Sequence, residues 1–214
     1  MHEITGNLGF LAGGVLVTLE LTVLGFVGAL VLGILAAVGR VGPVPPLRMA
    51  ATFYVEIFRN IPMLTLMVLF VFGLPDAGVT FSLFNSAAIC LALGGGAYIC
   101  ESVRGGINAV PVGQAEAARA IGLTFTQCLR HVILPQALRS MISPLVNTFI
   151  GVLLTSSLAA AIGVAELTNR TQQLNIQYAD AVVCFLFSGA VYVAIALGGS
   201  AVGNWLQRRL AVKR

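Results

Sequence analysis

Long stretches of this chain carry no charged side chain at all, among them Leu21 to Gly39 and Val79 to Cys100. Each is about as long as the roughly 20 apolar residues that a helix needs to cross a bilayer. Only 9% of the residues are charged and 58% are hydrophobic, against about 25% charged in an ordinary soluble domain. Such a chain cannot cover a water-facing surface, so its solvent is lipid. In lipid every backbone polar group must be satisfied within the protein, and the long apolar runs select helices. The fold class expected is an all-α membrane protein with five transmembrane helices, in one domain over 1–214. The spans are expected at about 10–39, 49–74, 79–103, 132–165 and 180–206, with a polar connector over 166–180.

The longest run unsuited to hydrocarbon is Pro111 to Pro135, which holds Glu116, Arg119, Arg130 and His131. It keeps a helical rhythm. Gln114 to Ile121 are mostly good helix formers, and Gly122 stands where a left-handed glycine would end a helix. Thr124 and Gln127 have the spacing of a capping box that opens a second short helix. The region 111–131 is therefore expected as helix, tight turn and helix at a membrane surface. Arg40, Arg48, Arg104, Arg119, Arg130, Arg139, Arg208, Arg209, Lys213 and Arg214 all fall on one side of a five-span arrangement. The positive-inside rule makes that side cytoplasmic, with the N-terminus outside and the C-terminus inside.

Catalytic chemistry finds little to use. Lys213 is the single lysine, so the phosphate-cradling GxxxxGK[ST] loop is absent and the chain is not expected to be an enzyme. His2 and His131 are the two histidines, and Cys90, Cys100, Cys128 and Cys184 show no CxxC spacing. No metal and no cofactor are expected, and the thiols read as small buried hydrophobes. No basic patch with interleaved aromatics points to nucleic acid; membrane lipid is the surrounding partner.

Three groups of polar residues remain. Glu56 and Arg59, and Glu101 and Arg104, are each spaced i, i+3, so each pair can neutralise itself on one helix face. They read either as structural pairs that fix helix packing or as part of a gate on a transport path. Glu20 has no partner in its own helix and is either interfacial or directed at a pore. Asn147 and Thr155-Ser156-Ser157 lie in the fourth span, where hydroxyls commonly bond back to their own helix.

The pattern Glu116-Ala117-Ala118, Gly122, Leu134-Pro135 resembles the EAA loop of permease subunits of ABC importers. Gly96 to Leu123, Val55 to Leu64 and Ile133 to Ile150 are similar to the polar amino-acid uptake family, the histidine/glutamine/glutamate group. The resemblance implies a type I importer fold in the bacterial inner membrane, with a cytoplasmic coupling helix. Glu116, Ala117, Ala118 and Gly122 would seat that helix in an ATPase subunit. Two ATP-binding subunits, a second permease subunit and an extracytoplasmic substrate-binding protein would be the partners. Relatives commonly carry Lys-Asp-Thr-Ser-Leu on the substrate path. Here Leu154 and Thr155 stand at the Lys and Asp positions, so an acid suited to a cationic amino acid is missing. That implies a paralogous heterodimer and a glutamate- or glutamine-like substrate, moved by alternating access. The alternative is a self-sufficient secondary carrier or channel that uses the charge pairs as ion sites.

Overall fold

A computed structural model describes residues 2–210, and within them every regular element is a helix. Lys213 and Arg214, counted above among the tail cations, lie outside the described residues. A short helix α1 (His2–Gly6) leads into α2 (Leu8–Val41), which ends at extended Gly42 ahead of a proline-rich corner. Helix α3 (Pro45–Asn60) begins with prolines in its first turn, where the missing N–H is not needed. Ile61 and Pro62 are both extended, as the steric demand of proline on its predecessor requires. Helix α4 (Met63–Val68) follows and continues as a π-helical turn, Leu69–Gly73. The expected single span at 49–74 is therefore broken: its axis bends by 105° between the two arms.

Helix α5 (Leu83–Asn108) starts where Ser82 accepts from the Asn85 N–H, so 79–82 lie outside it. Three glycines of α2 fix how α5 lies. A Cβ on Gly25 would stand 2.8 Å from the Leu91 Cβ, one on Gly28 2.7 Å from the Ala92 Cβ, and one on Gly33 2.7 Å from the Gly96 carbonyl oxygen. The contacts advance in the same sense along both helices, so α2 and α5 run parallel. A chain that crosses downward twice must cross upward between them. The bent pair α3–α4 has to make that return, which raises four unbroken candidate spans to five traverses.

Past α5, helix α6 (Val112–Ala120) ends at Ile121, and Gly122 adopts φ +88°. Thr124 then caps α7 (Phe125–Cys128) in a complete capping box with Gln127. The short second helix of the expected hairpin does not stop there. A π turn, Leu129–Ile133, carries it directly into α8 (Leu134–Thr155), and a 3-10 segment extends it to Ile162. The fourth span thus starts inside what reads as the second arm: Arg130 and His131 are exposed, and the helical backbone runs on through them. Pro144 sits within α8 and does not break it. Helix α9 (Leu167–Tyr178) occupies the expected connector, and α10 (Ala181–Leu210) closes the chain. Helices α8 and α10 are antiparallel: Gly203 abuts Val146 and Gly199 abuts Phe149.

Close approach along the α2–α5 seam gives a testable asymmetry. Gly33→Ala forces a methyl against backbone and lowers stability by about 1–3 kcal/mol, whereas Gly105→Ala, with nothing within 4 Å, stays within about 0.5 kcal/mol. Thermal unfolding of both variants in one detergent reads the difference, and equal melting temperatures would contradict the parallel seam.

Candidate functional site

A cavity of about 410 Å³ opens between α4, α5 and α8. Gly94, Gly95 and Gly151 line its wall; a Cβ on Gly151 would meet nothing within 4 Å, whereas one on Gly94 would meet the Met63 side chain and one on Gly95 would stand 2.9 Å from the Ala29 Cβ. Its polar groups are Tyr98, Asn147, Thr148 and Thr155, and no ionisable carboxylate or cation lines it. Asn147 and Thr155 therefore lie where the sequence suggested. Ser156 and Ser157 do not line it. Ser156 is fully buried and donates to the Leu153 carbonyl at 2.6 Å; Ser157 donates to Leu154 at 2.7 Å. Their hydroxyls are used up by the helix's own backbone, the usual fate of such groups in lipid. A second cavity, about 400 Å³, abuts the first. Tyr98 and Thr148 line both, and the second continues past Ser102 and Ser140 towards the end where α5 meets α6.

The charge pairs are arranged differently from the i, i+3 expectation. Glu101 does pair with Arg104, at 3.3 Å, but it also receives Arg40 from α2 and lies 3.7 Å from Arg59 of α3. The expected Glu56–Arg59 pair is not formed. Glu56 is exposed, and its carbonyl accepts from the Asn60 side chain. The reason is tertiary: the bend after Asn60 lays the end of α3 against α5, so the Arg59 guanidinium meets Glu101 and stacks over the Tyr98 ring at 5.7 Å. One carboxylate thus ties the ends of three helices beside the second cavity. Glu20 is exposed on α2, with no cation within 4 Å among the described residues.

The hairpin presents its outer face openly. Glu116, Ala117 and Gly122 are exposed, but Ala118 is only 4% accessible. It packs inward, against the chain that folds back after Gly122, where Cys128 reaches the Ala115 carbonyl at 4.0 Å. Ala118 therefore shapes the hairpin from inside and is not part of its outer face.

One polar centre was missed by reading the sequence. Glu166 is fully buried and caps α9, accepting from the Thr168 and Asn169 N–H groups at 2.9 and 2.7 Å. The same carboxylate accepts from Tyr192 of α10 at 2.7 Å and from Thr18 of α2 at 3.4 Å. Arg170 adds a clamp, donating to the Phe10 carbonyl at 2.6 Å and stacking on that ring. An acid directly before a helix-forming run is an N-cap signal, and it was the available clue.

A family model described as a binding-protein-dependent transport system inner membrane component matches residues 29–213. The chain is 38% identical over 201 residues to an L-cystine transport system permease, TcyB, of Bacillus subtilis (strain 168), covering 94% of this chain and 86% of that one. It is 35% identical over 193 residues to a probable glutamine ABC transporter permease, GlnM, of the same strain, covering 90% and 89%. Among solved structures, a chain of an amino acid ABC transporter with histidines superposes with a TM-score of 0.91 at 30% identity, covering 96% of both chains. An inward-facing MetNI methionine ABC transporter gives 0.74 at 28% identity, over 96% of this chain and 98% of that one.

The shared carboxylate predicts a ranking. Glu101→Gln keeps one acceptor oxygen but removes the negative charge that three guanidinium groups share, and costs roughly 1–3 kcal/mol. Glu56→Gln changes stability by less than about 0.5 kcal/mol. Unfolding of the two variants side by side checks this, and a larger effect at Glu56 would restore the local pairing.

Proposed function

This chain belongs to the family of binding-protein-dependent transport system inner membrane components, and on that premise we propose that it forms half of the path of an ATP-driven importer for polar amino acids of glutamine type, with glutamate next. It is a membrane component and not a catalytic one. The observation that carries the substrate class is the lining of the first cavity. Tyr98, Asn147 and Thr155 offer hydrogen bonds without charge, while the Thr148 hydroxyl donates to the Pro144 carbonyl at 3.0 Å and is left only to accept; this suits an amide or hydroxyl and leaves a guanidinium or ammonium side chain unneutralised. Arg59 stacks over Tyr98 at 5.7 Å, and its charge is met by Glu101 at 3.7 Å. The names of the relatives, glutamine and cystine permeases, point the same way.

The exposed hairpin supplies the mechanical step. A helix with alanine at Ala117 and an acid at Glu116 lets a partner's backbone come close and gives it one charge to meet. Two ATP-binding subunits would hold two such helices, one from this chain and one from a paralogous second permease. Their closure favours one set of contacts over another and so shifts the spans between outward- and inward-open populations. An extracytoplasmic binding protein would deliver the substrate at the end that carries α9. The positive-inside rule supports this orientation. Arg40, Arg48, Arg104, Arg119, Arg130, Arg139, Arg208 and Arg209 gather at the hairpin end, against Arg170 at the other.

Uptake by the assembled transporter in proteoliposomes tests the reading. Labelled glutamine accumulates with ATP and Asn147→Ala reduces the rate about tenfold, the worth of one well-placed hydrogen bond. Arginine uptake without glutamine uptake would overturn the substrate class. Accumulation driven by an ion gradient in the absence of the ATPase would replace the class with a secondary carrier.

Glu116→Lys separates coupling from folding. ATP-driven uptake and binding of the ATPase subunit fall about tenfold while the melting temperature of the isolated permease stays unchanged. Undiminished association would remove the hairpin from the coupling role.

A further inference from the structure

On the face of α8 turned away from the first cavity lies a second kind of space. A groove of about 440 Å³ runs between α2, α8 and α10, and every residue along it is apolar. Its deep end is closed by Phe26 and Phe149, whose rings meet edge to face at 5.2 Å. Its other end is reached at Ile142 and Leu206. The antiparallel register, Gly199 beside Phe149 and Gly203 beside Val146, brings Arg209 level with Arg139, about one helical turn beyond the groove. Both arginines are exposed. The ion pairs found among the described residues all converge on Glu101, so neither is held by a carboxylate there. Arg209 stacks on Trp205 at 4.7 Å, and a tryptophan at a span's end marks the depth of lipid headgroups.

We propose that this groove is a binding site for one anionic phospholipid. An acyl chain lies along Val146, Val202 and Leu206 up to the Phe26–Phe149 stop, and the headgroup phosphate is held between Arg139 and Arg209. Both halves of the ligand are read from the surface: an apolar slot as long as two helical turns and a pair of uncompensated guanidinium groups at headgroup level. Arginine is suited to the task because its planar donors meet phosphate oxygens two at a time. Anionic headgroups are attracted by each cation near the surface. The site is on the opposite face of α8 from the substrate cavity, so lipid occupancy would set the packing of α8 against α10 without entering the path.

The test uses the assembled transporter in nanodiscs of phosphatidylcholine with a minor fraction of phosphatidylglycerol, followed by native mass spectrometry of the lipid that stays bound. The wild-type complex retains phosphatidylglycerol in excess of its share. The double variant Arg139→Gln with Arg209→Gln loses about tenfold of that preference while keeping its melting temperature in pure phosphatidylcholine. Val202→Trp fills the slot from an exposed position and abolishes retention of either lipid. Retained lipid that matches the bulk composition, or an undiminished preference in the double variant, overturns the proposal. So does a disulfide from Val202→Cys to a cysteine in the second permease subunit, since the groove would then be a seat for protein.

Discussion

The parallel contact of α2 with α5 governs the rest of the molecule. Lipid tails are as apolar as leucine, so no hydrophobic drive gathers helices within a bilayer, and close packing must supply the attraction. Gly25, Gly28 and Gly33 on one helix and Gly95 and Gly96 on the other let the two backbones approach to contact. Because the two helices point the same way, the chain between them must return across the membrane. That return is made by α3 and α4 with a 105° corner at Ile61–Pro62. The corner then delivers Arg59 to Glu101 and Met63 to the cavity.

Two polar knots hold the ends of this scaffold. At the hairpin end Glu101 gathers Arg40, Arg59 and Arg104 from α2, α3 and α5. At the far end Glu166 gathers Thr18, Tyr192 and its own helix's N–H groups from α2, α10 and α9. Buried or half-buried charge survives only with partners, and removing a partner from such a set costs more than the set adds to stability. Both knots include α2, so α2 is the fixed frame. Between the knots, the cavity sits against α4 and α8, the elements with a π turn or proline in their ladders: Leu69–Gly73, Leu129–Ile133 and Pro144. Such interruptions are where helices bend; Pro144 lines the second cavity, and the two π turns are continuous with α4 and α8.

Much of this was legible in the residues. The uncharged runs announced helices, and Gly122 with Thr124 and Gln127 announced the turn and capping box that form. What escaped was tertiary. The i, i+3 spacing of Glu56 and Arg59 describes one helix, but the nearest carboxylate to Arg59 belongs to another, brought there by the bend. Alanine at Ala117 and Ala118 carries no sign of which faces out, since both lack bulk; only the fold-back after Gly122 buries Ala118. The stretch after Ala165 looked like a connector because its Asn and Gln residues are polar. They form the solvent side of a helix whose other side, Leu167, Thr171 and Leu174, is buried. Ser156 and Ser157 turn their hydroxyls to their own helix's carbonyls and lie outside the lining of the first cavity.

Five traverses would put the hairpin and α9 on opposite sides of the membrane. With the four native cysteines replaced, single cysteines at Ala117 and Gln177, both exposed, report their side directly through a thiol reagent that cannot cross lipid. In vesicles of known sidedness the account predicts that Ala117→Cys reacts only from the cytoplasmic face and is shielded when the ATPase subunit is bound, while Gln177→Cys reacts only from the other face. Labelling of both positions from the same face would contradict it.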